Sequence, residues 1–426
     1  MKIRVVVIWS AFLTSSMFTM AQTGAGNANA VALARKSPAV QTAYNFLVDQ
    51  AQHLRDNNLR TRTLDAITNR ATCVYHRANV SPAMQQAIVQ QLLAAGLADP
   101  TDDKAFPGGL IAGVYPAIVN DGSACPQLPQ AFFSAPGSVF AGHHSYPGGL
   151  MVHEANNDTS DQYLANQYRA MYGQSDDGFV ALDPHVLDKS PHERSTVFID
   201  QDIIIGAPIW HDWGKSIVFQ WNADGTEFPE LNFGGNGVTD NYGQPGNSKT
   251  GGHHIISVAE AMARGLSPAF VITQASAHSN PTSGNEYKVV NWIRAAAIMA
   301  QIDPVARGYL MIDAQGNLRL PALRKLGDVD FANQGQTNVL AEYTLHNLSD
   351  ADFTYSGPAV TEAQIVLQTL APRYGFDPSK VSVYNNSYRN PALSFLTAEH
   401  ILMLYSSQGL AGVQAELDRL RRAHVI

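Results

Sequence analysis

The run Ile203-Ile204-Ile205-Gly206-Ala207-Pro208-Ile209-Trp210 constrains the fold more than any other segment, because it is apolar almost all the way round. A helix without a polar face is stable only when it is buried on every side. The run leads into His211-Asp212-Trp213-Gly214-Lys215, so its burial carries an imidazole and a carboxylate into the interior. Adjacent His and Asp side chains seldom have a purely structural use, and the pair reads as the centre of a metal site.

The rest of the chain supplies helices to bury that run. Apolar positions recur at helical spacing within residues 38–98, and Ser81-Pro82 is a capping residue followed by Pro at the first helical position. Helical signals cover Ile255 to Leu266, restart at Ser267-Pro268, and run from Glu286 to Ile302. Further helices are expected near 361–373, 397–406 and 410–423. No alternating strand pattern of any length occurs, so the expected class is all-α. Residues 99–142 are rich in Pro, Gly and Asp and predict an irregular surface connection. The Gly-, Asn- and Asp-dense stretch 222–252 predicts a long irregular insertion, read as a lid or specificity loop beside the site.

Several histidines surround the central pair in sequence. Upstream stands Gly142-His143-His144-Ser145-Tyr146-Pro147-Gly148-Gly149-Leu150-Met151-Val152-His153; downstream stand Gly252-His253-His254 and Ala277-His278. This order resembles the HD-domain superfamily of metal-dependent phosphohydrolases over residues 140–305. In that family a first His, a His-Asp pair, often two further His and a closing Asp bind one or two metal ions inside a helical bundle. The resemblance implies His153, His211, Asp212, His254 and His278 as ligands, with His254 preferred over His253. It implies Asp212 and Lys215 as catalytic residues, Lys215 also holding a substrate phosphate. His143 and His144 fall before the Gly-Gly turn and are assigned to the cavity and substrate, with Arg194 and Arg294 as added phosphate contacts.

No Asp occurs in the helix where the family's closing Asp is expected. Asn291 supplies a neutral substitute, Asp303 supplies one from the helix end, or the ligand is lost at Ala297. Imidazole and carboxylate donors without thiolates suit Mn, Fe, Co, Ni or Zn. The implied activity is hydrolysis of a small phosphorylated compound, such as a phosphomonoester or nucleotide, by hydroxide on the metal. Two alternatives stay open: a di-iron oxygenase on the same fold, which normally needs six ligands, and a catalytically silent binding protein. His53, His76 and His346 lack a motif and read as ordinary surface or core residues.

Composition sets the context. Lys2 and Arg4 precede an apolar stretch to about Phe18 and the small residues before Gln22, which reads as a secretory signal peptide over residues 1–21. Its removal takes the net charge from −8 to −10, which argues against a nucleic-acid surface. The expected organisation is therefore a secreted or periplasmic protein with an N-terminal helical region to 140, a metal-binding core over 141–305 and a C-terminal helical region over 306–426. No membrane span is expected after cleavage. Cys73 and Cys125 are either one disulfide or two separate thiols.

Overall fold

The described residues are mostly helical. The computed structural model describes residues 24–172, 198–235, 248–282, 284–323 and 329–426. The expected signal peptide, Arg194 and the middle of the 222–252 insertion lie outside these residues. Among the described residues no helix is long and apolar enough to cross a membrane.

Four N-terminal helices come first: α1 (Asn27–Lys36), α2 (Pro38–Gln52), α3 (Asn57–Thr68) and α4 (Pro82–Ala94). Ser37, Asp56 and Ser81 cap α2, α3 and α4 by accepting backbone N–H groups, and Pro opens α2 and α4. The central layer is α5 (Gly149–Tyr172), α6 (Gln201–His211), α7 (Gly252–Ala263), α8 (Pro268–Ala275), α9 (Glu286–Ala300) and α10 (Ala341–Ser349). The C-terminal layer holds α11 (Phe353–Leu370), α12 (Asn390–Leu396) and α13 (Ala398–Arg422), the last bent at the non-helical Gly409. Two ribbons of two residues per strand complete the structure; in one, Asn232 pairs with Gly251 and Phe233 with Thr250.

The α6 run lies where its composition demands. Ile203 to His211 are all buried, and the main hydrophobic core extends from Ala34 to Tyr343. The N-terminal helices are therefore part of the central core. Trp210 Nε1 donates to Thr63 Oγ1 at 2.8 Å and Trp213 Nε1 to the Ala66 carbonyl at 3.2 Å, so α3 anchors both indoles beside the His-Asp pair. The 99–142 connection also departs from a surface path: Leu110, Val114, Tyr115, Phe132 and Ala135 enter the same core. Apolar residues scattered between turn formers had hidden that packing from periodicity. A second core, with Tyr146, Val360, Leu367, Leu393 and Leu417 among its members, belongs to the C-terminal layer. Cys73 and Cys125 are free and close enough to interact; burial, then the Cys125 thiol, pushes the Cys73 thiol up to about 12.

Candidate metal centre

Helix α6 stops at His211, and Asp212 leaves helical geometry at φ −110° and ψ 10°. The chain therefore turns after His211, and Lys215 opens a new helical segment, Lys215–Val218. Gly214 explains the turn's composition: a Cβ there would meet the His253 carbonyl oxygen at 2.3 Å, so only Gly lets α7 approach so closely. Lys215 still reaches back, and its Nζ donates to Asp212 Oδ2 and to the Gly137 carbonyl.

Upstream, the Gly148-Gly149 turn starts α5 and places His153 one turn in. Gly148 has φ +83°, and a Cβ on Gly149 would lie 1.9 Å from the His144 carbonyl oxygen. His153 Nε2 lies 3.1 Å from Asp212 Oδ2 and 3.2 Å from Asp350 Oδ1. His211 Nε2 lies 3.2 Å from each of those same two oxygens. With bonds of about 2.0–2.2 Å, neighbouring ligands of one transition-metal ion are separated by about 3.0–3.4 Å. The four imidazole–carboxylate distances here have that spacing.

The other carboxylate oxygens face a second group. His253 Nε2 lies 2.9 Å from Asp212 Oδ1, and His278 Nε2 lies 3.9 Å from both Asp212 Oδ1 and Asp350 Oδ2. Asp212 and Asp350 thus each turn one oxygen toward the His153–His211 side and the other toward the His253–His278 side.

The remaining ring nitrogens give the clearest indication of purpose. His153 Nδ1 meets Asp352 Oδ1 at 2.9 Å, and His211 Nδ1 meets the Pro208 carbonyl at 2.9 Å. His253 Nδ1 is hydrogen-bonded to Glu230 Oε1, and His278 Nδ1 to Thr250 Oγ1 at 3.0 Å. An acceptor on Nδ1 fixes the tautomer and leaves Nε2 free, which is the support that metal-ligating histidines normally have. His153 Nε2 and His253 Nε2 are buried and make no hydrogen bond. An orphaned buried nitrogen is costly unless something coordinates it, and the residues present fit a pair of cations.

Electrostatics follow from this crowding. Burial pushes the Asp212 and Asp350 carboxyls up, yet the neighbouring His211 imidazole holds both well below the usual carboxylate range, assisted by Lys215 at Asp212 and by His153 at Asp350. Burial lowers His278 to about 4, whereas at His153, His211 and His253 burial is outweighed by Asp352, Asp212 and Glu230 respectively, which hold those rings above the ordinary imidazole value, His253 at about 9. Burial opposes the charge on Lys215, but Asp212 keeps that ammonium protonated.

Three sequence assignments move. His253, not His254, faces Asp212: His254 stacks on His278 with ring centroids 4.2 Å apart, and its Nε2 meets the Ala275 carbonyl. The phase of two adjacent residues at a helix start could not be read from sequence. Asn291 and Asp303 are both engaged in other contacts. Asn291 Oδ1 accepts from Arg294 and its amide donates to Ser248. Asp303 is exposed and caps Val305 and Ala306. The sixth candidate donor beside these residues is Asp350, at the end of α10 and beyond the expected core boundary at 305. His346-Asn347-Leu348-Ser349-Asp350-Ala351-Asp352, a His and two Asp at a helix end, was the signal that could have found it. His346 is fully buried with its ring 5.1 Å from His211, and so forms part of the wall.

His143 and His144 lie on the outer side of His153, with ring centroids 4.9 and 5.7 Å from it. Comparison with family models, with curated proteins and with solved structures gave no match for this chain.

Proposed function

We propose that the chain is a metal-dependent phosphoester hydrolase of HD-domain type with a dinuclear centre. The observation that carries this reading is the convergence of His153, His211, His253, His278, Asp212 and Asp350, with every imidazole held through its other nitrogen. His153 and His211 would hold one ion and His253 and His278 the other, with Asp212 and Asp350 shared. Bound there, two divalent transition-metal ions would activate a water nucleophile and offset charge on the phosphoryl oxygens.

The chain's own residues do the rest. Asp352, Pro208, Glu230 and Thr250 orient the four rings. Lys215, buried and charged, stands beside the shared Asp212 carboxylate, where it stabilises negative charge that grows on a bound phosphoryl group. The small-molecule substrate enters on the side where His278, Asp352 and Phe353 reach solvent; Phe353 is 51% exposed. Export rests on the sequence of residues 1–21 and is tested by the mass of the mature N-terminus.

One observation favours a second reading. With Asp350 the candidate donors number six, the count that a di-iron oxygenase of the HD fold normally needs. Assaying metal-loaded protein against phosphomonoesters and phosphodiesters, under air and under nitrogen, separates the two. Phosphate release indifferent to oxygen supports the hydrolase. Oxygen-dependent substrate consumption with iron alone, and no phosphate released, overturns it.

A further inference from the structure

The outer histidines repeat the arrangement of the inner ones. His144 is fully buried at φ 49°, its Nδ1 lies 3.2 Å from the Tyr146 hydroxyl and 3.5 Å from Glu399 Oε1, and its Nε2 points at Asp352 Oδ2, 2.8 Å away. This is again a ring held at Nδ1 and presenting Nε2 to a carboxylate. Asp352 divides its oxygens as a supported ligand does: Oδ1 takes the His153 ring at 2.9 Å, while Oδ2 faces outward. His143 completes the group, with donor atoms from His143, His144, His153 and Asp352 all within 4.8 Å of one another. Opposite ligands of one ion are separated by about 4.2–4.4 Å at transition-metal bond lengths, so small shifts suffice to close the set.

Two features remain unexplained by a hydrogen-bond network alone. His143 Nδ1 is buried without a hydrogen bond, and so are both carboxylate oxygens of Glu399. A network built only to brace His153 would have no reason to leave three polar atoms unsatisfied beside it. A phosphate anion does not fill the gap, because Asp352 and Glu399 would repel it. A cation satisfies the imidazoles and the carboxylates together.

We propose that His143, His144 and Asp352, backed by Glu399, form a third, outer site for a divalent transition-metal ion at the mouth of the pocket. The assignment of His143 and His144 to the substrate is thereby refined: they act through the ion they hold. Such an ion adds positive charge beyond that of Lys215 where Asp352 and Glu399 make an acidic rim that a phosphorylated substrate would have to cross. The outer site is also more open. Side-chain exposure is 20% at Asp352 and 16% at Glu399, against 1% at His153 and Asp212, so the outer ion should exchange faster and bind more weakly than the inner pair.

This inference extends the metal-binding part of the functional reading and is tested by counting ions, independently of activity. Full-length apoprotein is titrated with Co2+, and bound metal per chain is measured by equilibrium dialysis and elemental analysis. The wild type should saturate at three equivalents, one of them removed first by a weak chelator. His143→Ala and His144→Asn should each saturate at two and keep the wild-type circular dichroism. His143→Ala is the safer variant, because that residue is only partly buried. Saturation of the wild type at two ions would overturn the outer site and leave the dinuclear reading intact. Three ions retained by His143→Ala would also overturn it, and no bound metal in the wild type would overturn both.

Discussion

The central core and the C-terminal layer are both helical, yet they are held together by different means. The C-terminal layer packs Val360, Leu367, Leu393 and Leu417 into an apolar interior, and burial of that surface is its main source of stability. The central core also buries His153, Glu154, Asp158, Asp161, His211, Asp212, Lys215 and Asp350. Placing that many ionisable groups in a low-dielectric interior is unfavourable unless cations or protons compensate them. The difference teaches where to look for function: one layer is packed by apolar side chains, and the other has given up apolar packing for a buried cluster of imidazoles and carboxylates that could hold metal.

Leu417→Ala should break the scaffold without touching the site. Leu417 is fully buried, so its truncation should cost about 2–5 kcal/mol of stability by denaturant unfolding, with bound metal unchanged in the folded protein. Loss of metal in the folded variant would erase the distinction between the layers. Lys215→Met should do the reverse. Turnover of a phosphoester should fall by about 2–4 kcal/mol in barrier, with metal content preserved, as steady-state rates and elemental analysis would show.

Support beneath the ligands should matter less than the ligands. Glu230→Gln keeps an acceptor near His253 but removes its charge, and should weaken metal binding about 10–100-fold in a competition titration. An unchanged affinity would show that Glu230 does not orient the ring.

A pH effect that leaves the metal centre untouched belongs to the seam between the layers, where Glu227 faces the buried Arg389 without a hydrogen bond. Burial pushes Glu227 from the usual 4.5 up to about 8, although Arg389 pulls it down. The folded chain therefore keeps a proton that the unfolded chain releases, and this group's contribution to stability falls as pH rises from about 4.5 to 8. Glu227→Gln should flatten that slope in melting temperatures across the same range and be at least as stable as the wild type at pH 8. A slope unchanged by the substitution would place the pH dependence elsewhere.

The sequence revealed what depends on local pattern. The all-round apolar run, the Ser81-Pro82 and Ser267-Pro268 starts and the Gly148-Gly149 turn each act within a few residues, and the structure places helices at all of them. His153, His211, Asp212, His278 and Lys215 are brought together. What stayed hidden depends on tertiary placement. His253 and His254 differ by about 100° of helix rotation, and only the packing of α7 against the Gly214 turn decides which one faces Asp212. Asp350 comes from a helix end 138 residues after Asp212, which no short-range spacing links to the pair. The 99–142 segment contributes isolated apolar side chains without a period, so its burial was equally invisible.

The account stands on six donors closed by Asp350, and the metal content of Asp350→Ala tests this most directly. Elemental analysis should show the inner ions lost from Asp350→Ala while Asn291→Ala and Asp303→Ala retain them, since Asp350 lies against His153 and His211 whereas Asn291 bonds Ser248 and Arg294 and Asp303 caps Val305 and Ala306. Full metal occupancy in a folded Asp350→Ala protein, or loss of metal from the Asn291 variant instead, would contradict it.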